Sequence, residues 1–463
     1  MAKPDYDALV IGAGAAGLAA SVELARAGQS ALLLEARDRI GGRCHTLEVP
    51  GLAVPVELGA EFIHGWPIAT LALLERAGTA AVDAPRKPWL LENGRLTARG
   101  DFFAEIQEAM RASHALAQRD LTFDAFLDRA LRGTLSEEAR AYARMLVQGY
   151  DAADPARASA RAIVEEWSNA ASGNALARPL RGYGPLLALL HGMLAGSSVA
   201  TKLQTVVRAV EWKRGAVRID ALSGGRVLRA TAARAIITLP VGVLQCRRDM
   251  PGAVRFTPAL GGKLPALRRL GAGPVTKVAL HFRRAFWETL ERGRYRDATF
   301  FHAPDAPFPT LWTALPVRAP LLVAWAGGPI AARMTRLTLP HLVQRALQSV
   351  RHVFGEQLDP GPELVNAYVH DWQRDPHARG AYSYVLVGGA KARAVLAASL
   401  ARTLYFAGEA TDVEGEAGTV AGALQSGTRA ARELLSALMG PRAPLRPAAD
   451  LSAGCIAARR FRR

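Results

Sequence analysis

The chain opens on a short apolar run, Ala8-Leu9-Val10-Ile11, that breaks at a cluster of glycines. An Ala/Leu-rich stretch follows from Leu18 to Ala27, and a second apolar run covers Ala31 to Leu34. The pattern predicts strand, Gly-rich turn, helix, strand, with Gly28 where a helix C-terminal glycine is expected. Residues from about 100 to 195 are rich in Ala, Leu, Glu and Arg with few β-branched runs, and read as helical. From Thr201 the pattern turns to strands at Val206-Val207, Val217-Arg218-Ile219 and Ala235-Ile236-Ile237. The break Gly271-Ala272-Gly273-Pro274 precedes a further strand from Val275 to Phe282, and a helix is expected around Pro340 to Phe354. Leu404-Tyr405-Phe406 reads as the last strand and Thr419 to Leu438 as a long final helix. Beyond Gly440 the chain is Pro-rich and basic and reads as a disordered tail.

Composition changes this picture little. Half of the 463 residues are apolar and 21% are charged, a globular balance in a chain long enough for two domains. Net charge is +17, yet only seven of the 58 basic residues are lysine, and the arginines are spread over the whole chain. Such a spread favours a compositional bias over a nucleic-acid surface; the one cluster is Arg459-Arg460-Phe461-Arg462-Arg463. Cys44, Cys246 and Cys455 form neither a disulfide framework nor a zinc pattern, which points to a reducing, cytoplasmic setting. Asp5 and Asp7 sit where a signal peptide would be basic, and no stretch approaches the roughly 18 apolar residues of a membrane helix.

Chemistry enters with Gly12-Ala13-Gly14-Ala15-Ala16-Gly17. Between a strand and a helix, Gly12 permits the tight turn, Gly14 lets backbone approach a pyrophosphate, and Gly17 lets helix and strand pack closely. The helix N-terminus offers N–H groups to the anion. Glu35 ends the next strand, where a carboxylate can accept both ribose hydroxyls of an adenosine. This motif does not separate NAD from FAD.

The following segment does. Glu35-Ala36-Arg37-Asp38-Arg39-Ile40-Gly41-Gly42-Arg43 resembles the signature that follows the dinucleotide motif in the flavin amine oxidase family, with Arg43 set to neutralise the diphosphate. Glu57-Leu58-Gly59-Ala60-Glu61-Phe62-Ile63-His64-Gly65 extends the resemblance, and in that family this segment runs past the flavin ring. Leu404-Tyr405-Phe406-Ala407-Gly408-Glu409-Ala410-Thr411 resembles the family element whose acidic residue binds the ribitol chain. Gly418-Thr419-Val420 opens the last helix, and the resemblance implies that its N-terminus is aimed at the flavin pyrimidine. Val207 matches a strand that meets the adenine through backbone, and Leu239 to Leu244 a second cofactor-domain turn.

The resemblance is to the polyamine oxidase and lysine demethylase branch. It implies an α/β fold: a Rossmann-like FAD-binding domain with a second substrate domain of mixed sheet plus helices. The expected FAD segments are 1–82, 196–262 and 398–440, the substrate segments 83–195 and 263–397, and the tail 441–463. Lys277 sits inside an apolar strand, where a buried cation needs a partner; in this branch a lysine there holds a water beside the flavin. Tyr382 matches one wall of an aromatic cage, and Thr419 replaces the other. Ala381 stands where monoamine oxidases link the flavin through cysteine, so non-covalent FAD is expected. His64 is a candidate substrate contact and Glu61 a candidate attractor of a cationic substrate.

The implied reaction oxidises the C–N bond of a primary or secondary amine to an imine, with oxygen as acceptor and hydrogen peroxide as product. The two rivals are a related flavoprotein acting on an apolar substrate and a flavin-binding interaction protein without turnover.

Overall fold

The computed structural model describes residues 3–85, 87–98, 102–168 and 175–439; the expected disordered tail, 441–463, lies outside them. Tyr6–Ile11 and Ala31–Leu34 are parallel neighbours, and Ala31–Leu34 is buried at every position. Four aliphatic residues buried on both faces are what a central parallel strand requires. Parallel pairing continues outward through Val199–Lys202 on one side and Arg226–Ile237 on the other. Arg226–Ile237 is long enough to serve two neighbourhoods. Its C-terminal end pairs in parallel with Tyr6–Ile11 and Leu404–Phe406. Its N-terminal end instead runs antiparallel to Ala216–Ser223, which pairs in turn with Thr205–Lys213.

Helix Ala15–Arg26 covers one face of this sheet and is buried from Ala15 to Leu24. It is apolar nearly all round because the final helix, Val420–Met439, lies on its other side. Their contact is made by small residues: a Cβ on Gly427 would lie 2.1 Å from the Ala16 carbonyl oxygen.

A second sheet of seven strands runs in the order Leu364–Val369, Val275–Phe282, Leu321–Gly327, Thr310–Thr313, Phe300–His302, Pro88–Glu92, Arg95–Ala98. Beneath it lies an aromatic core containing Phe282, Phe286, Trp287, Phe301 and Phe354. The stretch expected to be helical holds Phe102–Ala112, Phe123–Arg129, Glu137–Gly149, Ala160–Ser168 and Gly184–Gly192. A short strand, Leu176–Pro179, interrupts it and pairs with Ile63–His64 and Ala81–Asp83. No helix among the described residues is long and apolar enough to cross a membrane.

Gly427→Ala tests the helix contact. The added methyl must push Ala15–Arg26 and Val420–Met439 apart, and overpacking of this kind costs about 1–3 kcal/mol. Denaturant unfolding should show a lower midpoint at unchanged slope; an unchanged midpoint would mean the helices are not in van der Waals contact there.

Candidate active site

One large cavity of about 650 Å³ lies between the two sheets. That is within the range of small-molecule sites. Its floor is the start of the chain. Gly12 has φ +108°, a conformation glycine adopts freely, and a Cβ on Gly14 would meet nothing closer than 3.9 Å. Backbone is therefore exposed to the cavity at Gly14, beside the first turn of a twelve-residue helix whose leading N–H groups have no intrahelical partners. Gly17 is not on the wall. Its Cβ position lies 1.8 Å from the Gly12 carbonyl oxygen, so it serves helix–strand packing and not the cavity.

Glu35 lines the same end. Its two oxygens accept from the amides of Ala13 (2.9 Å) and Arg37 (3.0 Å), which orient the carboxylate at the end of its strand. Arg37 donates to Asp375 at 2.8 Å, tying this loop to the segment before the last strands. Ala16, Gly42 and Val207 complete this part of the wall.

Arg43 and Glu409 face the middle of the cavity as a pair, 3.0 Å apart. The Arg43 guanidinium also donates to the Ala381 carbonyl at 2.6 Å, and Glu409 accepts from the Ser383 hydroxyl at 2.7 Å. Burial works against the charge of Glu409, but Arg43 and Arg393 outweigh it and hold the carboxyl below its usual range. Arg43, expected to neutralise a diphosphate, is thus itself paired with a carboxylate on the wall. Gly59, Ala60 and Gly408 stand beside it on the wall. Thr419 accepts from the Gly422 amide at 3.0 Å, in capping geometry at the start of the final helix, next to Val420.

The far end is aromatic. Tyr382, Trp312, Trp325, Phe300 and Tyr150 line it, with His64 edge-on to Tyr150 at 5.0 Å. The Tyr382 hydroxyl donates to the Tyr150 carbonyl at 2.6 Å, and burial, with Asp151 adding, holds the phenol protonated. Phe62 packs against Trp312 and under the Arg178 guanidinium.

Lys277, 3% exposed, has the partner its burial demands, and that partner is Glu61, 2.6 Å away. Burial opposes the charge of Glu61, but Lys277 and Arg178 hold its carboxyl below the usual range. The expectation that Glu61 draws in a cationic substrate is therefore corrected: its oxygens are committed to Lys277, Arg178 and Trp312.

Apart from Gly17, every residue expected at the site lines this one cavity. Sequence reasoning missed Asp151, Glu166, Trp312 and Trp325, which line it too. Asp151 is one of the 41 acids of the chain and falls in the stretch expected to be helical, where no pattern singles it out. Its Oδ2 is buried with no hydrogen-bond partner among the described residues, and burial, with Glu166 adding, raises its pKa well above the usual range.

The model for flavin-containing amine oxidoreductases matches residues 15–435. The chain belongs to that family. Human lysine-specific histone demethylase 2 is 27% identical over 92% of the chain, and the chain spans 53% of that protein's length. Polyamine oxidase 3 of Oryza sativa subsp. japonica is 28% identical, with 92% of the chain and 88% of the relative covered. Among solved structures, wild-type putrescine oxidase bound to putrescine superposes with a TM-score of 0.76 at 23% identity, covering 93% of this chain and 99% of that one. Cyclohexylamine oxidase from Brevibacterium oxydans gives 0.76 at 22%, covering 94% and 100%. At these identities the solved structures establish the fold.

The cavity suits the flavin this family carries. It joins exposed backbone beside a helix N-terminus, where a diphosphate would fit, a carboxylate oriented by two amides, where a ribose would fit, and an aromatic chamber, all on one continuous wall. No cluster of metal-ligating side chains is present among the described residues.

Glu57, behind the wall, yields a pH prediction. Its Oε1 accepts from Thr46 and from the Tyr183 amide, while its Oε2 has no hydrogen-bond partner among the described residues. Burial raises its pKa from 4.5 to about 7, with these bonds and Lys277 opposing. The folded state thus holds a proton that the unfolded state releases between about 4.5 and 7, and stability falls as pH rises through that window. Glu57→Gln keeps the acceptor and removes the titration. Its stability relative to the native protein should climb from pH 4.5 to pH 7 and level off above; a pH-independent difference would mean Glu57 does not titrate there.

Proposed function

We propose that the chain is an FAD-dependent amine oxidase for diamines or polyamines, converting a C–N bond to an imine with oxygen as acceptor and hydrogen peroxide as product. The FAD is held non-covalently, since Ala381 offers no thiol. The family's flavin, when bound, supplies the two-electron chemistry by accepting the equivalent of a hydride from the carbon beside the nitrogen.

The chain's residues do the rest. Glu35 holds the ribose, and the Gly12–Gly14 turn and the helix behind it hold the diphosphate. Arg43 and Glu409 line the ribitol as a neutral pair. Trp312, Trp325, Phe300 and Tyr382 keep the reacting end dry and orient the neutral amine that must react. His64 and Thr419 flank it.

The observation that carries the substrate class is Asp151. A buried carboxyl with one oxygen unpartnered among the described residues, next to a second acid and on the aromatic chamber, costs stability unless a cation arrives. The distal ammonium of a diamine supplies one and returns the acid to its charged form.

Peroxide formation should be followed with a panel of monoamines, diamines, polyamines and methylated lysine peptides. Diamines or polyamines should be the best substrates. Asp151→Asn should lower kcat/KM for them by about tenfold or more, the scale of one charged hydrogen bond, while sparing monoamines. Equal losses on both classes would remove Asp151 from substrate selection, and no peroxide with any amine would refute the oxidase reading. Denaturation and filtration should leave all the yellow colour in the filtrate; flavin retained on the polypeptide would contradict non-covalent binding.

A further inference from the structure

We propose that Glu61 is the residue that positions Lys277. One carboxylate is shared between two buried cations. Its Oε1 accepts from Arg178 Nε at 3.1 Å and from Trp312 Nε1 at 3.0 Å. Its Oε2 accepts from Lys277 Nζ at 2.6 Å. Arg178 is itself fixed, donating to the carbonyls of Thr313, at 2.8 Å, and Leu315. Oε1 is thus anchored by two donors that cannot follow the lysine, and Oε2 is left at a defined point on the wall.

Lys277 then has little freedom. Its ammonium donates to Glu61 and, at 3.3 Å, to the Gly59 carbonyl, and lies 5.5 Å from the centroid of the Trp312 ring. An ammonium has three N–H groups. Two are used on the wall, and the third is left for a group in the cavity that Lys277 lines. The cluster carries two cations and one anion, so the wall presents a net positive charge at that point. A lysine without Glu61 would face Arg178 with only Glu57, whose own charge burial disfavours, as a counter-charge, in surroundings too buried to screen it.

The test uses Glu61→Gln, Glu61→Asp, Lys277→Met and the Gln/Met double variant. The first readout needs neither substrate nor turnover. Flavin-free protein is treated with trace acetic anhydride, which acylates only unprotonated amines, and labelling is read lysine by lysine by peptide mass spectrometry. Lys263 is the internal reference: it is 2% exposed and donates to the Val395 and Ala398 carbonyls, away from Glu61. In Glu61→Gln, Lys277 should be labelled at least about tenfold faster, with Lys263 unchanged. Glu61→Asp, which keeps the charge, should restore most of the protection. Unchanged labelling of Lys277 in Glu61→Gln would overturn the proposal. So would a parallel rise at Lys263, which would make Glu61 a general prop of the fold.

The second readout is turnover, and only this arm depends on the cavity being an amine oxidase site. Glu61→Gln and Lys277→Met should each reduce turnover by about tenfold or more, and the double variant should be no slower than Lys277→Met. Losses that multiply would show that Glu61 acts independently of the lysine. A failed amine panel with the labelling result intact would sink the oxidase reading and leave the positioning role standing.

Discussion

Arg43 and Glu409 are 366 residues apart in the chain and 3.0 Å apart in the fold. Much of the cavity depends on that contact. Arg43 belongs to the loop after the second strand, and Glu409 to the turn after the last. Between them they also hold the Ala381 carbonyl and the Ser383 hydroxyl of a third segment. A buried carboxylate this isolated from water must have cationic partners. The requirement draws three distant stretches together at one point of the wall. A second buried carboxylate, Glu61, repeats the device nearby with Lys277 and Arg178. Charge burial thus fixes the wall at two points, while apolar packing supplies the sheets and helices on either side.

The wall changes character along its length. At one end it is mostly backbone: glycines at 12, 14 and 42, helix amides and an oriented Glu35. At the other it is mostly aromatic side chain, with Asp151 as a buried acid lacking a full set of partners. The first kind of surface suits a ligand recognised through phosphate and sugar. The second suits an apolar reacting centre with a cation at a distance. Both kinds share one cavity, which is the arrangement an enzyme with a dinucleotide cofactor and a small amine substrate needs.

What the sequence reveals of this follows from locality. The strand–glycine–helix–strand opening is legible because each signal lies within a few residues of the next: Val10-Ile11, then Gly12 and Gly14, then the Ala/Leu helix. Lys277 is legible as a buried cation from the apolar residues around it. Its partner is not, because Glu61 is 216 residues away and one of many acids. The same limit hides Pro88–Glu92 and Arg95–Ala98, a hairpin whose place is decided by pairing with Phe300–His302 more than two hundred residues on. Asp151 was missed for a related reason: it matters through what it lacks, and a missing partner leaves no mark in a linear pattern.

The central claim is that an amine reaching the aromatic chamber reduces a flavin held on the same wall. Rapid anaerobic mixing of the FAD-loaded protein with a diamine such as putrescine, followed by absorbance, tests it without reliance on oxygen or on product chemistry. The account predicts first-order loss of the yellow flavin colour at a rate that rises with diamine concentration and saturates. A flavin that stays oxidised with the diamine, and with every other amine tried, while dithionite still bleaches it, would contradict the account.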